Sequence, residues 1–117
     1  LLTANTALDG TGTLPAVFTA HATMGGYLER VFFKPLGSTT AATVIRFFLY
    51  HPTLGTSFFR DYSLPVATLN NAASMATHEL SFNLALAPGE EIRVALGTTV
   101  TAGWKATGCG SHYAAAA

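Results

Sequence analysis

The sequence predicts an all-β protein, an antiparallel β-sandwich of seven or eight short strands. Three observations carry that prediction. Runs rich in Val, Ile, Thr, Phe and Tyr recur along the 117 residues, separated by Gly, Pro, Asn and Ser at roughly 8–12-residue intervals. Helical periodicity is weak throughout; the one helix candidate, residues 72–76, amounts to about one turn. There is no strand–helix alternation of the kind that builds a parallel sheet, and no strict internal repeat is visible.

Taken in order, residues 1–14 read as an extended N-terminal arm, residues 15–113 as one β-sandwich domain, and the alanines at 114–117 as a tail without side-chain information. LPAVFTAH (14–21) is a short strand. GGYLERVFFKPLG opens on Gly25-Gly26 and closes on Pro35, which has no N–H to give a ladder. Strict alternation puts Tyr27, Glu29, Val31 and Phe33 on one face and Leu28, Arg30, Phe32 and Lys34 on the other. AATVIRFFLYHP is the strongest strand: Ile45, Phe47 and Leu49 make one face and Val44, Arg46, Phe48 and Tyr50 the other, as expected of a strand covered twice. TSFFRDYSLP ends at Pro65, and Asn70 and Asn71 give turn chemistry to the segment after it.

HELSFNLAL alternates, with His78, Leu80, Phe82, Leu84 and Leu86 inward. EIRVALG returns with Ile92, Val94 and Leu96 inward. Pro88-Gly89 between them reads as the type II turn of a hairpin, Gly89 taking the positive φ. A last strand runs through Val100, Ala102, Trp104 and Ala106, with Trp104 its anchor or, in the other register, an interface residue, and with Gly108 and Gly110 bending the chain around Cys109. A jelly-roll-like arrangement of two sheets fits this series, with an immunoglobulin-like topology as the alternative.

Composition narrows function. Charged residues make up 10% of the chain, and six Lys and Arg cancel six Asp and Glu, against about 25% charged in an average domain. So few cations argue against binding a nucleic-acid backbone. Near-zero net charge favours association, so much of the surface is expected to be covered by neighbours. No apolar run reaches the ~20 residues of a membrane helix, and none is expected. The single Cys excludes a disulfide within these residues. LLTANTALDG lacks the pattern of a signal peptide and the chain starts without Met, which reads as a processed or incompletely represented chain.

The stretch GWKATGCGSHY raises the question of a reactive or metal-binding Cys109/His112 pair. A zinc site needs about four ligands, and His21, His51 and His78 fall on other strands or turns. A nucleophilic thiol needs a base in reach and an orienting third group, and no such set is apparent. Glu90 and Glu91 are adjacent and point oppositely in a strand. LDGTGT lacks the Lys-Ser/Thr end of a phosphate loop. No catalytic residue, metal ligand or cofactor site is therefore expected. His21 and His51, at strand ends, are expected to be exposed or at an interface, where protonation below about pH 6.5 would loosen an assembly, although nothing in the sequence shows a switch. The aromatics exceed the needs of one small core. In each Phe-Phe pair one ring faces away from the other, which makes Tyr27, Phe32, Phe48, Tyr50, Phe58, Trp104 and Tyr113 candidates for an interface.

NTALDGTGTLPAVFTA, GGYLERVFFKPLGSTTAATVIRFFL and LSFNLALAPGEEIRVALGTTVTAGWKATGCGSHY together resemble small virion structural proteins of tailed bacteriophages, the head decoration (cement) proteins and related tail-associated β-sandwich proteins. The resemblance spans nearly the whole chain and is one of phrase, not of a catalytic motif. It implies a non-enzymatic subunit on the capsid surface, in contact with the major capsid protein or other virion proteins and with copies of itself, a trimer being one such homo-oligomer. A tail location, with a carbohydrate- or receptor-binding role and a glycan on Trp104 or the tyrosines, is the alternative.

Overall fold

The computed structural model describes residues 4–39, 41–74, 77–100 and 102–113. Among them are seven strands and no helix: β1 (Ala16–Thr19), β2 (Gly26–Pro35), β3 (Thr43–His51), β4 (Gly55–Leu64), β5 (His78–Leu86), β6 (Glu91–Leu96) and β7 (Trp104–His112). They form a four-stranded sheet, β1-β6-β3-β4, and a three-stranded sheet, β5-β2-β7. Every strand pair is antiparallel. Part of the helix candidate, residues 75 and 76, lies outside the described residues; 71–73 form a turn and bend.

The core lies between the sheets. Ile45 and Phe47 from β3, Ile92, Val94 and Leu96 from β6 and Leu64 from β4 meet Leu28, Val31 and Phe33 from β2, Leu86 from β5 and Trp104 from β7. Phe47 sits edge-on to Phe82 at 4.9 Å between ring centroids. Burial of such side chains stabilises by about 1.5–3 kcal/mol each and is the main force holding the layers together.

Strict alternation fails in β2. Leu28 pairs with Gly110 of β7 and Arg30 with Cys109, so Glu29 is an extra residue on β2. Against β5, Leu28 pairs with Leu84 and Arg30 with Ser81, leaving Phe82 and Asn83 opposite the one residue Glu29. Asn83 has φ 46° there. The bulge moves the inward positions from even to odd numbers. Leu28, Val31 and Phe33 are therefore all fully buried on one face, where alternation separated Leu28 from the other two.

The expected hairpin also resolves differently. Glu90 N donates to Ala87 O at 3.1 Å and Gly89 has φ 78°, so the turn is of the expected kind. Yet β5 pairs with β2, and β6 with β1 and β3. The turn arches from one sheet to the other. Two strands that each bury an apolar face satisfy the same sequence pattern as hairpin partners or as opposite walls of one core. Among the described residues, only β3 and β4 form a hairpin between consecutive strands.

Residues 4–14 lie against the chain's own four-stranded sheet. Ala4 bridges Leu96 and Asn5 N donates to Leu96 O at 2.9 Å. Gly10 (φ 85°) reaches the far strand, where a Cβ would meet the Thr56 side chain at 2.7 Å. The segment then returns to β1, with Val94 N donating to Pro15 O. Asn5 closes this loop: its Nδ2 donates to Thr11 O and Thr13 O, and its Oδ1 accepts from Ala7 N. The segment therefore crosses the outer face of the sheet, the face that carries Phe48 and Ala95. Both are buried, at 0% and 3% exposure, and neither belongs to the inter-sheet core.

Candidate interaction surface

β7 runs unbroken from Trp104 to His112, so Gly108 and Gly110 do not bend the chain around Cys109. They permit close approach. A Cβ on Gly108 would meet Val17 O at 2.6 Å, and one on Gly110 would meet Tyr27 O and the Phe18 ring. Cys109, opposite Arg30, takes the outer face and is half-buried. His112 has the other parity: its Nε2 donates to Thr19 O at 2.8 Å, and its ring lies edge-on to Phe18 and His21. A separation of three residues along one strand puts the pair on opposite faces, so the structure does not bring Cys109 and His112 together. Among the described residues no three of His, Cys, Asp and Glu cluster closely enough to hold a metal.

The remaining histidines have ordinary structural partners. His78 faces inward as expected, with Tyr62 Oη at 3.4 Å and the Trp104 ring 5.9 Å away. His21 and His51 stand at the starts of two turns, where each Nδ1 accepts from main-chain N–H groups.

The seven interface candidates separate into three groups. Trp104 and Phe48 are buried within this chain, at 1% and 0% exposure, and offer no surface. Trp104 is a core anchor because β7 sets it opposite Pro35 on the inward face; Phe48 lies under residues 4–14. A sugar-binding role for Trp104 loses its basis. Tyr27, Phe32 and Tyr50 are half-buried. Tyr27 Oη donates to Asn83 Oδ1, the Arg30 guanidinium lies 5.0 Å from the Phe32 ring, and Arg93 covers Tyr50 at 3.8 Å. The hydrogen bond and charge of Glu79 hold the Arg30 guanidinium above its ordinary pKa. Phe58 and Tyr113 are exposed.

Of the exposed apolar residues on and beside β4, sequence reading named Phe58 alone. β4 is one edge strand of the four-stranded sheet; Phe58 and Phe59 on it, Leu54 in the turn before it and Val66 and Leu69 in the segment after it are all exposed. A bulge opposite Phe47/Phe48 adds Phe59 to this edge, stacked on Phe82 at 6.0 Å. Arg60 beside it donates to Ser81 O at 3.0 Å, tying β4 to β5 across the open side of the sandwich. The visible signal was Phe58-Phe59 in sequence; which strand lay at an edge was not.

Where β3 begins and β4 and β6 end, an open cleft of about 490 Å³ is lined by Thr43, Arg46, Ser63 and Thr98 among others. Arg46 Nη1 is buried there without a hydrogen-bond partner. Comparison with known proteins finds no matching family model, curated protein or solved structure.

Proposed function

We propose that this chain is a non-enzymatic bacteriophage virion structural protein, a capsid decoration or cement subunit that reinforces the shell through the major capsid protein and copies of itself. The observation that carries the reading is the set of exposed apolar residues on and flanking the edge strand β4, Leu54 at 84% exposure with Phe58, Phe59, Val66 and Leu69, on a chain with six cations and six anions. Surfaces rich in exposed aromatics and depleted of charge favour association. The resemblance to virion proteins supplies the setting. A jelly-roll-like origin of the two sheets belongs to the same proposal. So does a linking role for residues 1–14, which would exchange from the chain's own sheet onto the identical face of a neighbour.

The test is sedimentation of the purified chain together with an image of labelled particles. Self-association that Leu54→Ser and Phe58→Ser weaken, and label over the capsid surface, are the expected results. Leu54→Ser separates surface from folding effects, because Leu54 lies at a turn tip. A monomer at all concentrations that leaves particles unlabelled would overturn the proposal. So would label confined to the tail with reproducible binding on a glycan array.

A further inference from the structure

Two turns of this protein are built alike. His21-Ala22-Thr23-Met24-Gly25 joins β1 to β2, and His51-Pro52-Thr53-Leu54-Gly55 joins β3 to β4. The shared pattern is His, any residue, Thr, a long apolar residue, Gly. In each, His pairs with Gly across the turn, and Gly takes a positive φ, 80° and 84°. In each, the imidazole folds over its own turn. His21 Nδ1 accepts from Thr23 N at 3.2 Å and Met24 N at 3.1 Å. His51 Nδ1 accepts from Thr53 N at 3.0 Å and Leu54 N at 3.1 Å. The apolar residue then projects outward from the tip, Met24 at 40% and Leu54 at 84% exposure.

An imidazole nitrogen that accepts two N–H groups must carry a lone pair, which fixes the neutral tautomer with its proton on Nε2. A second proton can enter only at Nδ1. It would aim an N–H at two N–H donors, removing one acceptor and leaving two donors without it. We infer that His21 and His51 are matched proton-sensitive caps, which hold both turns closed when neutral and release them, with Met24 and Leu54, when protonated.

Among the described residues the Thr23 hydroxyl also stands at the first ring, 3.2 Å from His21 Nδ1. Around His21 stand the His112 ring at 5.8 Å, Gly89 N, which donates to His21 O, and Tyr113 N, which donates to Gly25 O. The nearby Glu90 carboxylate is engaged by Ala87 N at 2.6 Å. Around His51, Pro52 touches the Gly89 position, so the two turns flank the β5–β6 turn. The adjoining charges are paired: Glu91 with Arg93 at 2.8 Å, and Arg93 over Tyr50. Asp9, on the loop that reaches Thr56, accepts from Thr11.

The experiment follows the main-chain amides of Thr23, Met24, Thr53 and Leu54 by NMR in the full chain from about pH 8 to about pH 5. Exchange protection, corrected for the intrinsic pH dependence, should fall by about tenfold at all four, in step with titration of the two rings. In His21→Asn/His51→Asn an amide oxygen stands near the place of Nδ1 and does not titrate. Protection should then persist at low pH. His21→Asn alone should silence the first turn and leave the second responsive. Protection that ignores ring titration in the wild type, or a response that survives in the double variant, would overturn the inference.

Discussion

The outer faces of the two sheets begin from similar sequences and end in different environments. On the four-stranded sheet Phe48 and Ala95 are buried beneath residues 4–14. On the three-stranded sheet Phe32 and Tyr27 remain half-exposed among polar residues, held by Arg30 and Asn83. The Arg30–Glu79 pair on that face, 3.3 Å apart and over 40% exposed on both sides, is of the kind that contributes under about 1 kcal/mol. Alternation puts an aromatic on each outer face. Whether it is covered depends on a segment remote in the chain, here one closed by the three hydrogen bonds of Asn5.

The sharpest way to break this comparison is to truncate one ring on each face. Phe48→Ala should cost about 3–5 kcal/mol in urea unfolding, because it empties a site that nothing refills. Phe32→Ala should cost about 1 kcal/mol, the worth of a cation–π contact and partial burial. Equal losses would mean that the N-terminal segment does not shield its face as the structure shows.

What the sequence disclosed follows the same division. The inward faces of β3, β5 and β6 were legible, since regular alternation needs only local spacing. The inward set of β2 was not, because Glu29 is surplus relative to β7 and two residues of β5 face it; a bulge is a property of three strands together. Pairing of β5 with β2 instead of β6 was hidden for the same reason. Cys109 and His112, close in sequence, fall on opposite faces of one strand, while the exposed edge at Phe58 and Phe59 depends on β4 having no second neighbour. The repeated His-to-Gly turns were within reach of inspection, but five residues with three shared identities stand out only once both imidazoles are seen over their own turns.

The inward and outward faces of β7 sharpen the comparison at intermediate cost. Gly110→Ala forces a methyl against Tyr27 O and the Phe18 ring, the former main chain that cannot move alone. It should cost about 1–3 kcal/mol. Cys109→Ala, one residue away on the outer face, should stay within about 0.5 kcal/mol. A neutral Gly110→Ala would show that β1 does not press on β7 here.

The smallest expected effect tests the covering loop itself. Asp9 Oδ1 accepts from the Thr11 hydroxyl at 2.7 Å and from Thr11 N at 3.0 Å. These bonds, the hydroxyl first, hold the carboxyl below its ordinary value of 3.8. A lowered folded pKa means that the carboxylate's contribution is complete above the unfolded value and is lost as pH falls through the folded one. The Thr11 amide signal should therefore titrate with a midpoint below 3.8 in the wild type and stay flat in Asp9→Asn, with neutral-pH stability little changed because the group is fully exposed. A midpoint at or above 3.8 would remove this bond from the account of the loop. Burial of Phe48 would then rest on Asn5 and the Leu96 bridge alone.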